Sequence, residues 1–97
     1  MIKVVYKDKV IAESNNTVQV EGNHYFPRDS VKAGSLEDSN LTTTCPWKGT
    51  AQYYHLNIDG EKIQDMVWYY PEPSDEAKSI KNMLAFYQKN GLKVIEE

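Results

Sequence analysis

Polar and apolar residues alternate from the start of the chain: Ile2, Val4 and Tyr6 fall on one side, Lys3 and Lys7 on the other. A side-chain period of two is that of a strand. The polar KDK at 7–9 and the apolar VIA at 10–12 predict a second short strand, folded back through a tight turn. NNTVQVEGN, residues 15–23, reads as a turn, a strand with Val18 and Val20 inward, and another turn. HYFPRDSVKAGSLEDSN, residues 24–40, is irregular. Pro27 bars a central strand there, and Gly34, Ser35 and Ser39 mark loop, with Tyr25 and Phe26 anchoring the segment to the core.

The clearest strand pair follows. Thr42, Thr43 and Thr44 are β-branched and favour extended backbone. Pro46 holds Cys45 extended and suits the second position of a turn that Gly49 closes, so CPWKG predicts a hairpin corner with a glycine bulge. Beyond it, alternation sets Ala51, Tyr53 and His55 on one face and Tyr54, Leu56 and Ile58 on the other, the second set being the core-like one. Asp59-Gly60 is a turn signal, and MVWYYP is a strand ended by Pro71 and Pro73. A sheet in so small a domain is expected to bury one face only.

Two patterns compete in the last quarter. Ser74 followed by acids is a helix start, and Ala77, Ile80, Met83, Leu84 and Tyr87 recur at helical spacing. MLAFY, the Asn90-Gly91 turn and LKVI read instead as a hairpin. The expectation is a short helix near 75–82 followed by two strands, with residues 83–88 open between strand and helix.

Composition adds limits. A chain of 97 residues is a single domain with one modest core. The net charge of −3 gives no general affinity for a nucleic-acid backbone or an anionic membrane. Seven tyrosines and two tryptophans are many for this length, enough for a binding surface or a homodimer contact. One cysteine makes no internal disulfide, and no apolar run suits a signal peptide or a bilayer span, so a reducing cytoplasm is expected. The sequons at Asn15 and Asn40 would then stay unmodified. One Cys and two distant His give no zinc spacing; neither metal nor cofactor is expected.

Four blocks, VEGNHYFPRDSV, LTTTCPWKGTAQYY, WYYPEP and IKNMLAFY, occur in this order and closely resemble the domain-of-unknown-function family four hundred and twenty-seven. The resemblance spans about residues 3–96, and some of its members carry a nucleotidyltransferase-like label. It implies a mainly β, compact antiparallel two-sheet domain of the β-tent kind, to which the residue pattern above adds one short helix near the C-terminus. Several β-tent relatives hold zinc with four cysteines; this chain has one, so that role does not carry over.

Cys45 has two readings: a small buried apolar side chain, or a catalytic nucleophile if Lys48 lowers its pKa and His24 or His55 acts as base. Lys48 in a turn, with Thr44, would hold a phosphate or carboxylate, and the family motif strengthens that reading. Tyr53, Trp68 and Tyr70, with Trp47 and Tyr25 nearby, would form an aromatic wall for a planar ring or simply fill the core. Arg28 would clamp a ligand carboxylate or pair locally with Asp29. The aspartates form no spaced pair for Mg²⁺, which gives nucleotidyl transfer little support. The leading expectation is a binding module with a cleft for a small planar or anionic ligand near CPWKG; an enzyme and a homodimer or protein-interaction module are the alternatives.

Overall fold

The N-terminal alternation becomes β1 (Ile2–Tyr6) and β2 (Lys9–Ser14), antiparallel through the predicted turn. The computed structural model describes residues 1–97. Val18 and Val20 lie on β3 (Val18–Val20), which pairs with β4 (Asn23–Tyr25) as an isolated hairpin. β5 (Leu36–Cys45), β6 (Gly49–Ile58), β7 (Glu61–Tyr69) and β8 (Ala85–Phe86) form a four-stranded sheet in chain order. β9 (Leu92–Glu96) pairs with β1, giving a second sheet of order β2-β1-β9. The fold is mainly β and antiparallel, with three sheets where two were expected. No helix is long and apolar enough to cross a membrane.

The segment read as loop through Ser39 differs too. β5 starts at Leu36, because the ten-residue β6 offers it partners: Leu36 pairs Leu56, Glu37 pairs His55 and Asp38 pairs Tyr54. The polar residues express themselves as a register break between Asp38 and Thr42 rather than as the end of the strand. Asp59 and Gly60 turn β6 into β7 with φ of 52° and 84°, as a two-residue hairpin of this hand requires.

At the C-terminal end, the predicted helix is a 3-10 turn over Asp75–Ile80, burying Ala77 and Ile80. It stops there because the next residues have stronger partners. Asn82 N–H donates to the Tyr70 carbonyl at 3.0 Å, and Leu84 exchanges backbone hydrogen bonds with Phe26 at 2.8 and 2.9 Å. A second 3-10 turn covers Arg28–Ser30. The strands after Asp75–Ile80 do flank Asn90-Gly91, but they are not a hairpin: β8 joins β7, and β9 joins β1 in the other sheet. Leu92 on β9 is buried, and pairing with β1 is what places it over the core.

The four-stranded sheet buries both faces. Neighbouring residues diverge: Tyr54, Val67 and Phe86 face one cluster with Val4, Tyr6, Ile11 and Leu56, beneath the β2-β1-β9 sheet. Tyr53, Trp68 and Ala85 face the other, which Tyr25, Tyr70, Ala77 and Ile80 complete. Its cover is the β3–β4 hairpin and the Asp75–Ile80 turn, with Tyr70, Met83 and Tyr87 from the connecting segments, so a short chain closes a second face with small pieces. The single-face expectation failed because it assumed that a cover must be a whole layer.

Candidate functional site

The CPWKG corner is built as the sequence reads. Cys45 and Gly49 are the last pair of the β5–β6 hairpin, with Pro46, Trp47 and Lys48 between them. Gly49 has φ of 116°, and a Cβ there would stand 3.3 Å from the Glu72 carbonyl oxygen, so both dihedral and space call for glycine. Ser74 ties the corner down: its N–H donates to the Lys48 carbonyl at 2.9 Å and its hydroxyl to the Trp47 carbonyl at 2.6 Å.

Lys48 is only 6% exposed. Its ammonium pairs with Glu21 from the β3–β4 turn and lies 5.2 and 5.6 Å from the Trp47 and Tyr70 rings. Trp47 Nε1 donates to the other Glu21 oxygen at 3.4 Å. Burial alone would lower the lysine pKa, but the Glu21 carboxylate and the nearby Tyr25, Tyr70 and Cys45 raise it, so the side chain stays a cation. The same hydrogen bond holds the Glu21 carboxyl below its usual range. Lys48 is therefore already paired, inside an aromatic cage.

Trp68 is buried beside it. Its Nε1 donates to the Tyr25 hydroxyl at 3.1 Å, and the two rings meet edge-on at 6.3 Å. Burial raises the pKa of both Tyr25 and Tyr70. Cys45 is half-buried against this same cluster. Both histidines use Nδ1 elsewhere: His24 with the Thr17 hydroxyl at 3.1 Å, His55 with the Asp65 N–H at 3.0 Å. Thr44 is exposed, and alternation sets it on the sheet face opposite Cys45. Arg28 belongs to the other face as well: it donates to the Tyr54 hydroxyl at 2.9 Å and lies 4.6 Å from the Tyr69 ring, which stacks on Tyr54 at 4.8 Å. The structure thus brings Cys45, Lys48, Trp68 and Tyr70 together, with Tyr25, and sets Thr44 and Arg28 apart from them. None of the four gathered residues lines a hollow.

The largest hollow opens next to them. A groove of about 720 Å³ is lined by Tyr53, Tyr87, Asp65, Lys62, Lys89 and Asn90, among others. Tyr53 is the one predicted site residue that reaches it. Its hydroxyl meets Thr43 Oγ1 at 3.0 Å and the Tyr87 hydroxyl at 3.3 Å, and the two tyrosine rings lie nearly parallel, 6.4 Å apart. The threonine that matters here is Thr43, not Thr44. The bond to Tyr53, together with burial, pushes the Tyr87 phenol up to about 12, so it remains a neutral donor at physiological pH. Tyr87 packs on Trp68 at 4.6 Å, and the Lys89 ammonium lies 4.7 Å from its ring centre. The electronegative face of the ring favours that cation.

Reading the sequence missed Tyr87, Asp65 and Lys89. Tyr87 sits inside the IKNMLAFY block that carries the family resemblance, which was the available signal; Lys89 and Asp65 had none, since charges that read as turn or loop in the sequence are ordinarily solvated. No three His, Cys, Asp or Glu side chains stand close enough to share a metal ion. A family model described as a domain of unknown function (DUF427) matches residues 1–97. No curated protein matches the chain.

Proposed function

The chain belongs to the DUF427 family, a domain of unknown function, and we propose that it binds a small planar, anionic ligand in the groove beside Tyr53 and Tyr87. One observation carries this reading: a tyrosine ring, fixed from behind by Trp68 and by the Tyr53 hydroxyl, with a lysine ammonium at its face. An aromatic ring held on two sides loses little freedom when a flat ligand stacks on it. Lys89 is exposed and can swing from the ring to a ligand carboxylate or phosphate. Tyr70 and Cys45 serve that groove from behind, in the cluster against which Trp68 packs, with Lys48 held at the Tyr70 ring. The nucleotidyltransferase-like label and a Cys45-dependent reaction are the enzymatic alternatives, and the thiol's place outside the groove favours binding.

A thermal-shift screen of planar carboxylates and aryl phosphates tests this. A ligand that binds the folded state stabilises it by RT ln(1 + L/Kd), L being its free concentration, and so raises the melting temperature as L exceeds Kd. The expected result is a hit whose Kd weakens about tenfold in Lys89→Ala, through loss of one charge-assisted contact. Absence of any hit, or hits indifferent to Lys89→Ala and to Tyr87→Leu alike, overturns the reading.

A further inference from the structure

We infer that Asp65 is the specificity residue of this groove, reading the ligand through a paired N–H donor edge of the amidine, guanidine or 2-amino-heterocycle class. This deepens the binding reading above and rests on it. Three irregularities of the sheet converge on this one side chain. β5 breaks register between Asp38 and Thr42, β6 and β7 break register between Tyr54 and Leu56, and Asp65 itself has φ of 55°. A bulge re-aims the side chain it carries, and a non-glycine residue at positive φ persists only where its surroundings over-determine it.

Those surroundings are specific. The Ser39 hydroxyl donates to Asp65 Oδ1, and Ser39 Oγ in turn accepts the Leu41 N–H at 3.1 Å. On the other side, the Asp65 N–H donates to His55 Nδ1 at 3.0 Å, so that nitrogen is the acceptor of a neutral ring. His55 Nδ1 stands 3.5 Å from Oδ1. Every contact therefore falls on Oδ1 or on the backbone, while Oδ2 enters no hydrogen bond or ion pair with the protein. The side chain is 37% exposed and lines the groove. A carboxylate with one oxygen pinned and the other open is an acceptor fixed in direction. It suits a planar group that presents two parallel N–H donors, one to the open Oδ2 and one to the second lone pair of Oδ1 that Ser39 leaves free, the geometry in which carboxylates bind most selectively.

Such a ligand would stack its ring at Tyr87, place its anionic arm at Lys89 and present its donor edge to Asp65. The neighbouring Lys62 is already engaged by Glu37, which leaves Asp65 without a competing cation of its own. A ligand lacking the donor edge leaves Oδ2 solvated or unpaired, and discrimination follows from that loss.

The test uses two probes of nearly equal shape, 4-amidinobenzoate and 4-acetylbenzoate, titrated calorimetrically into the full chain. Wild type should bind the amidine at least about tenfold tighter, the usual scale of one charge-assisted hydrogen-bonded pair. Asp65→Asn should bring the two affinities within about twofold, leaving the acetyl compound unchanged. Asparagine tolerates positive φ and still accepts the Ser39 hydroxyl, so the fold is kept. Ser39→Ala, which frees Oδ1 without removing the charge, should lower the amidine preference partway and covers the case in which Asp65→Asn fails to fold. Equal binding of both probes by wild type overturns the assignment while leaving the groove reading intact. Binding of neither overturns both. An amidine preference that survives both substitutions assigns the donor edge to another residue.

Discussion

Two regions of this molecule flank the same β6–β7 pair and behave oppositely. At the corner, Lys48, Trp68, Tyr70 and Tyr25 satisfy one another: ammonium with carboxylate, indole N–H with phenol, ring against ring. One strand turn away, Tyr53, Tyr87, Asp65 and Lys89 carry the same kinds of group around open space. The contrast separates rich chemistry from available chemistry. A lysine flanked by aromatics attracts attention in a sequence, yet Glu21 has already answered its charge. Function is better sought where a fixed polar atom still has an unanswered lone pair.

Breaking the sealed region should show the largest effect. Trp68→Ala removes a nearly buried indole and leaves the Tyr25 hydroxyl without its donor. A loss of about 3–5 kcal/mol of stability is expected, the range for truncating a large core aromatic. Urea denaturation measures it through a fall in the midpoint at unchanged slope. A loss below about 1 kcal/mol would show that the corner is not a packed core.

Lys48 gives the next effect and a sharper test. Lys48→Ala removes a buried stem as well as the ammonium that the Trp47 and Tyr70 rings flank, and should cost about 1–3 kcal/mol. Lys48→Met keeps the volume and lets the half-exposed Glu21 return to water, so it should cost less than about 1.5 kcal/mol. If Lys48 is structural in this way, Lys48→Met also leaves ligand affinity in the groove unchanged by calorimetry. A large affinity loss in Lys48→Met alone would move the binding site back to the corner.

The sequence carried much of this architecture, because turns announce themselves. Asp59-Gly60, Asn90-Gly91 and CPWKG all turn the chain where they should, and their flanking alternation marks real strands. Pairing was less legible. Asn90-Gly91 looks like a hairpin turn, but nothing local tells β9 to prefer β1 over β8; that choice belongs to Leu92 and the far end of the chain. Ser39 and Asn40 have turn chemistry and lie in a strand irregularity, because β6 supplies hydrogen bonds on either side of them. For the site, Tyr53 was legible from its motif. Asp65 was not, since its role arises from two register breaks and a positive φ that no periodicity records.

The smallest expected effect lies on the boundary between the two regions. The Tyr53 hydroxyl is the largest cause of the raised Tyr87 pKa, so Tyr53→Phe should return the Tyr87 titration toward its ordinary value. A phenol whose folded pKa is raised binds its proton more tightly when folded. The stability it contributes is whole below its unfolded pKa of about 10 and fades as the pH climbs through about 12. Wild type should therefore lose stability over that alkaline window, and Tyr53→Phe should lose less of it there. Burial also raises Tyr25 and Tyr70, so a residual slope persists in the variant. At neutral pH the cost is about 1 kcal/mol, the worth of an ordinary hydrogen bond. Carbon-detected NMR of labelled tyrosine follows Tyr87 directly. A midpoint that stays near its wild-type value after Tyr53→Phe would mean that the two hydroxyls do not bond, and that the wall of the groove is looser than its back.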